Sequence, residues 1–353
     1  MSQTTVRSQV FVGAGTWTSQ RKHGGLFRQI VGNGGQWESL TKGLPEPVSV
    51  QAITIHPMDA DVIYAGTQDG PYRSRDGGAR WERGAFPDGL QVWSLTVHPR
   101  ATNVVYAGTS PVGVWRSEDG GATWSELPNV KQPDRIKMSF ACRVMRIGIV
   151  PGARDQIYAA LEVGGVLRSL DGGQHWEDCA EHLVQLSERP ELKSQIQSDS
   201  EAEGMLDAHA LAVTDAAPGS VFLAVRMGLF RSDDQGMKWQ DLEVRRFSPL
   251  TYGRDIRVSP HDPRTLYAAL SPAARSEDGS LYRSTDLGRT WARIDHGVKA
   301  RATMMGVALH PRDPQQIYGA SRCGQVFGTQ DGGRTWDESG LPDIDDVYAI
   351  ACG

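Results

Sequence analysis

The stretch Ser117-Glu118-Asp119-Gly120-Gly121-Ala122-Thr123-Trp124 decides the fold, because it recurs along the chain in a fixed frame. Variants of it end at Trp81 (SRDGGARW), Trp176 (SLDGGQHW), Trp239 (SDDQGMKW), Trp291 (STDLGRTW) and Trp336 (TQDGGRTW), and a copy one residue short (NGGQW) ends at Trp37. Upstream of each copy lie an alternating apolar segment, a turn that often contains His-Pro, a segment like IYAGT and a segment like GVWRS. Short runs rich in Val, Ile, Tyr and Trp, broken by Gly, Pro and Asp, are antiparallel strands joined by tight turns. Four strands per unit and seven units predict an all-β, seven-bladed propeller. The chain opens on a second-strand segment (FVGAGT) and closes on a first-strand segment (DVYAIACG), so its two ends complete one blade. That pairing removes the open sheet edge, and the 353 residues read as a single domain.

Composition excludes several classes of function. With 39% hydrophobic and 22% charged residues, and a net charge of -5 from 37 basic and 42 acidic side chains, the chain is neither disordered nor built to bind nucleic acid through bulk charge. No run approaches the roughly 18 apolar residues of a membrane span, and the opening MSQTTVRSQVFVGAG has no signal-peptide pattern, so a cytoplasmic protein without a membrane partner is expected. Cys142, Cys179, Cys323 and Cys352 form no CxxC pair and are expected as free thiols.

The repeated S-x-D-G-G-x-T-W frame resembles the Asp-box, or BNR, repeat of sialidases and other propeller proteins. The resemblance implies a fold: the box is a turn between the third and outer strands, on the face opposite the active site, with its Asp capping backbone amides and its Trp packed between blades. Asp76, Asp119, Asp171, Asp234, Asp286 and Asp331 are therefore expected to be structural. It does not carry over sialidase activity. Sialidases have six blades and an N-terminal Arg-Ile-Pro motif, whereas this chain has seven boxes and no such motif.

Because the units align, loop lengths can be compared. Gln51, Trp93, Met145, His209, Arg254 and Met305 open the first strands, with Tyr348 in the closing strand, and 16 residues separate Gln51 from Thr67 and Met305 from Ser321 alike. The first turn is constant in length. Insertions fall at residues 17–23, 125–144, 177–208 and 272–280, in connections that emerge on one face of an up-and-down ring. The longest, with Leu183, Leu186 and Leu192 among charges, predicts one or two short helices, read either as a lid or as a solvated excursion with residues 195–206 of uncertain order.

Equivalent positions that are unlike one another mark a site. The seven openers carry amide, indole, thioether, imidazole, guanidinium and phenol groups, and their neighbours add Gln91, Arg143, Arg146, Asp207, Asp255 and Asp346. The second-to-third-strand loops add Asp69, Glu162, Arg226 and Arg322. His209 with Asp207 can act as a general base or as the best candidate metal ligand, although a structural histidine fits equally; Tyr348 and Glu162 complete the candidate catalytic set. Arg143, Arg226, Arg254 and Arg322 could clamp an anion or simply pair with Glu162, Asp207 and Asp255. Trp93, Trp17 and Gln51 are the remaining candidate substrate contacts. His56, His98, His261 and His310 belong to turns.

No HExxH, GxSxG, P-loop or GxGxxG motif is present, so no nucleotide cofactor is expected, and a divalent metal ion is left open. Two functions remain. One is a hydrolase or lyase acting on a small anionic or ring-bearing molecule in the central funnel. The other is a non-catalytic module gripping a protein or peptide, as in photosystem assembly factors with this repeat. Oligomeric state is not legible.

Overall fold

The computed structural model describes residues 8–15, 24–32, 34–153, 155–341, 343–344 and 346–353. Trp17 and the insertion at 17–23 lie outside the described residues. Among the described residues, 28 strands form seven four-stranded antiparallel sheets. The last strand, Asp346–Cys352, joins Gln9–Gly15, Gly25–Ile30 and Trp37–Ser39, pairing antiparallel with Gln9–Gly15. Blade 1 thus takes its inner strand from the C-terminus, and blades 2 to 7 follow in sequence order. The seven-bladed propeller expected from the repeat is the observed fold.

Middle strands such as Val105–Ser110 and Leu266–Ser271 are buried at every residue, because each sheet packs on both faces. Apolar side chains accordingly gather into seven clusters, one at each seam between adjacent blades. Burial of these seams holds the ring together.

The repeated turn is a small hydrogen-bonded device. In blade 3, Asp119 accepts from the amides of Ala122 and Thr123 at 3.0 and 2.9 Å and from the Ser117 hydroxyl at 2.8 Å, while Gly121 N donates to Ser117 Oγ at 2.7 Å. Gly120 and Gly121 both have positive φ, which a Cβ would oppose. The Thr123 amide and hydroxyl hold the Asp119 carboxyl well below the usual range. Asp76, Asp171, Asp234, Asp286 and Asp331 repeat the pattern. The tryptophans close seams: Nε1 of Trp81, Trp239 and Trp336 donates to a carbonyl following the outer strand of the preceding blade, at 2.9 Å each.

A second repeated contact runs the other way around the ring. Arginines of the third strands, Arg28, Arg73, Arg168 and Arg231, donate to the box carbonyls of Gly77, Gly120, Gln235 and Leu287 in the next blade. Four seams are stapled in this manner. The His-Pro turns are fixed by their own rings, since Nδ1 of His98 and His310 accepts two backbone amides each, at 3.0–3.2 Å.

The long insertions pack rather than hang free. Helix α1 (Glu181–Leu186), a 3-10 turn (Pro190–Leu192) and helix α2 (Glu203–Leu206) bury Leu183, Leu186, Leu192, Met205 and Leu206 against the seam between blades 4 and 5. Ile136 and Cys142 of the 125–144 segment enter the same cluster, and Arg135 ties the two segments through Asp178 and Glu181. Residues 196–198 are tied to buried Glu203, which accepts from the amides of Ile196, Gln197 and Ser198. Among the described residues, none between 177 and 206 lines the central channel, and residues 188–191 stay exposed. All four cysteines are free thiols.

Candidate functional site

The seven unlike residues share a backbone cause. In every inner strand the register to the second strand skips one residue: between Val50 and Ala52, Val92 and Ser94, Val144 and Arg146, Ala208 and Ala210, Gly253 and Asp255, and Met304 and Gly306. In blade 1 the skip falls between Val347 and Ala349. The skipped residues are Gln51, Trp93, Met145, His209, Arg254, Met305 and Tyr348. A β-bulge leaves its extra residue out of the ladder and re-aims its side chain. Here the bulges turn seven side chains into one axial channel, all of them lining a cavity of about 470 Å³.

A second tier lies two residues earlier in each strand and holds the bulge residues in place. Ser49 Oγ accepts from Gln51 Nε2 at 3.3 Å, Gln91 Oε1 accepts from Trp93 Nε1 at 3.1 Å, and Asp207 Oδ2 lies 3.3 Å from His209 Nε2. Tyr252, in the same row of blade 6, places its hydroxyl 3.2 Å from His209 Nε2, and the two rings are 4.9 Å apart. His209 Nδ1 lies 2.7 Å from the Gly253 carbonyl. A carbonyl only accepts, so Nδ1 carries a proton. Gly253 permits this approach, because a Cβ there would stand 2.7 Å from the Gly228 carbonyl.

Three of the four mouth arginines are spoken for. Arg143 Nε sits 2.6 Å from Glu162, Arg226 Nε lies 3.3 Å from Asp207, and Arg322 pairs with Asp346. Arg254 makes no ion pair among the described residues, and its Nε is buried without a hydrogen-bond partner. Its charge is felt by Glu162, Asp207, Tyr252 and Tyr348, groups drawn from blades 4, 5, 6 and 1. The mouth therefore holds one guanidinium with no direct ion-pair partner among the described residues.

The environments of Glu162 and Asp207 drive their proton affinities apart. Burial pushes Glu162 up to about 7, with nearby Asp207 adding to the shift and Arg143 only partly opposing it. Burial also disfavours the Asp207 carboxylate, but His209, Arg226 and Arg254 outweigh it and hold the group at about 2. One wall is aromatic: Arg143 lies 4.0 Å over the Trp93 ring, and Tyr348 meets Trp93 edge-on at 5.6 Å. Trp93 is 9% exposed, so it forms part of the wall rather than an open platform.

A charged crossbar lies next to the bulge ring. Arg146 of blade 4 reaches past blade 5 to Asp255 of blade 6 at 2.9 Å, and Arg257 approaches the same carboxylate at 3.1 Å. Asp255 also accepts from Val307 N of blade 7 at 3.2 Å. Burial lowers Arg146 to about 10.

The structure thus gathers Gln51, Trp93, Glu162, Arg143, Asp207, His209, Arg226, Arg254, Arg322 and Tyr348 around one mouth. Asp69 does not join them, because it accepts from the Tyr72 hydroxyl at 2.9 Å and faces Arg83. The metal-ligand role allowed for His209 meets an obstacle: both ring nitrogens face internal partners, and no group of three or more His, Cys, Asp and Glu suited to a metal stands together among the described residues. Sequence reasoning missed Tyr252 and Arg257. Tyr252 carried a signal, since it occupies the row that supplied Gln91, Arg143, Asp207 and Asp346.

No family model matches the chain. A xyloglucanase of Paenibacillus sp is 27% identical over 205 residues, which is 52% of this chain and 17% of that protein. The GH74 xyloglucanase of Xanthomonas campestris superposes with a TM-score of 0.67 at 18% identity, over 97% of this chain and 53% of that one. YCF48 bound to D1 peptide superposes with a TM-score of 0.54 at 16% identity, over 84% and 82%. The chain spans well under two thirds of both xyloglucanases, and the structural likenesses are likenesses of fold.

Proposed function

We propose that the mouth of the channel binds and cleaves a small acidic saccharide, with the acidic group of the ligand on Arg254. The observation that carries this reading is the unpaired Arg254 guanidinium, set by its bulge beside an aromatic wall and two carboxyls at the mouth of the axial channel. A planar fork with no protein partner suits a carboxylate. A volume of about 470 Å³ falls within the range of small-molecule sites.

Hydrolysis of a glycosidic bond needs one carboxyl that is protonated and one group that accepts a proton. Glu162, protonated in part at neutral pH, donates to the leaving oxygen as the C–O bond breaks. The Asp207 carboxylate, kept ionised by His209, Arg226 and Arg254, takes the proton from the attacking water, whose oxygen forms the new bond. Tyr252 and the Gly253 carbonyl fix the imidazole, and the Tyr348 hydroxyl adds a polar contact beside Arg254. Pairs of groups whose environments drive their proton affinities apart are the usual way an acid and a base coexist at one site. The likeness to xyloglucanases supports carbohydrate as the substrate class.

The test is turnover of short oligosaccharides with and without a uronic acid unit. Glu162→Gln is expected to lower kcat at least 100-fold while leaving KM within a few-fold. If no saccharide is turned over, and instead a peptide binds wild type and is lost in Arg254→Ala, the mouth is a peptide grip, in line with the likeness to YCF48 bound to D1 peptide.

A further inference from the structure

A second cavity of about 470 Å³ opens at the seam between blades 6 and 7, among the first turns and the box of blade 7, away from the mouth. It lies at a seam that lacks the staple. In four other seams the third-strand arginine crosses to the box carbonyl of the next blade and fills the gap. Arg283 is the corresponding arginine of blade 6, yet no hydrogen bond or ion pair ties its guanidinium to blade 7. At the seam between blades 3 and 4, where Arg116 turns to Glu118 instead, the remaining space is only about 30 Å³. The open seam is therefore more than a lost hydrogen bond.

The lining carries two arginines without an ion-pair partner among the described residues. Arg283, Arg293 and Arg334 face it together with His261 and His296, and Ser259, Thr265 and Tyr267 line the cavity beside them. Arg293 is neutralised by Asp295, but Arg283 and Arg334 have no ion-pair partner among the described residues. The two acids of the lining are engaged by their own turns: Asp262 accepts from Arg264 N and the Thr265 hydroxyl, and Asp331 accepts from the Arg334 and Thr335 amides and two hydroxyls. Neither lies within ion-pair distance of Arg283 or Arg334 among the described residues.

We infer that this seam is a binding site for a tetrahedral oxyanion, the phosphate or sulfate group of a small ester, held between Arg283 and Arg334 with Arg293 and the histidines at its edge. Guanidinium forks from two blades match the several oxygens of such a group. Bound there, the anion would bridge blades 6 and 7 as the staple does elsewhere.

The experiment is thermal unfolding of the full chain titrated with inorganic phosphate, sulfate or phenyl phosphate. Wild type should gain a few degrees in Tm once the ligand exceeds its Kd about 100-fold. Phenyl phosphate outperforming inorganic phosphate identifies an ester, and sulfate matching phosphate identifies a site for the bare anion. Arg283→Ala and Arg334→Ala should each cut the shift at least by half without altering the ligand-free Tm, because neither side chain has a partner to lose. Arg254→Ala should keep the full shift, which separates this site from the mouth. No shift in wild type at about 10 mM of any probe, an undiminished shift in Arg283→Ala, or loss of the shift in Arg254→Ala would each overturn the assignment.

Discussion

The boxes and the bulge ring occupy the same repeat, seven times over, and have opposite character. At the box, one set of residues recurs because each copy does the same work: Asp caps amides, Ser or Thr holds the turn, and Trp or Arg closes a seam. At the bulge, the backbone recurs but the side chains do not, giving Gln51, Trp93, Met145, His209, Arg254, Met305 and Tyr348. A structural requirement common to all blades would make these residues alike. Their difference shows that the bulge supplies direction, while the chemistry is set blade by blade.

The contrast can be broken most forcefully at the box tryptophans. Trp239 is 1% exposed and donates to Cys179 O, so Trp239→Ala should cost about 4 kcal/mol in chemical unfolding, with ligand binding at the mouth unchanged in the fraction that remains folded. An unaltered unfolding midpoint would remove the box from the account of ring stability.

Glu162 gives the next largest effect. Its folded pKa is raised from 4.5 to about 7, so the folded state binds the extra proton. That contribution is full below about pH 4.5 and is lost as pH rises through about 7, amounting to up to about 3 kcal/mol. Measured as the difference between wild type and Glu162→Gln, unfolding stability should therefore diverge progressively between those two values. Parallel curves would show that Glu162 titrates normally and is not poised as an acid.

A smaller loss is expected at a single cap. Asp286 accepts from the Thr290 amide and hydroxyl, and Asp286→Ala should lower stability by about 1 kcal/mol while leaving turnover intact. Loss of turnover with an unchanged melting point would place function on the box face.

The sequence made the blades legible because a turn with fixed hydrogen bonds demands fixed residues, and the spacing from Gln51 to Thr67 measures the strand pair directly. It made the ring legible too, since equivalent positions could be compared. The bulges were not legible: the skip at Trp93 or His209 adds no residue to the spacing and leaves no mark on composition. Tyr252 was hidden because its contact with His209 crosses a seam, and the cluster that Arg257 joins because a polar residue in a strand gives no hint that Arg146 reaches Asp255 from two blades away. The leucines at 183, 186 and 192 announced helices, but not the seam that buries them.

The account stands on Arg254 as an unpaired charge awaiting a ligand. Its direct test is a crystal structure of the Glu162→Gln protein grown with a short uronic-acid oligosaccharide. The account predicts density in the mouth with a carboxylate on the Arg254 guanidinium and a sugar ring beside Trp93 and Tyr348. A saccharide bound elsewhere, or a mouth in which Arg254 has turned to pair with Glu162 or Asp207, would contradict it.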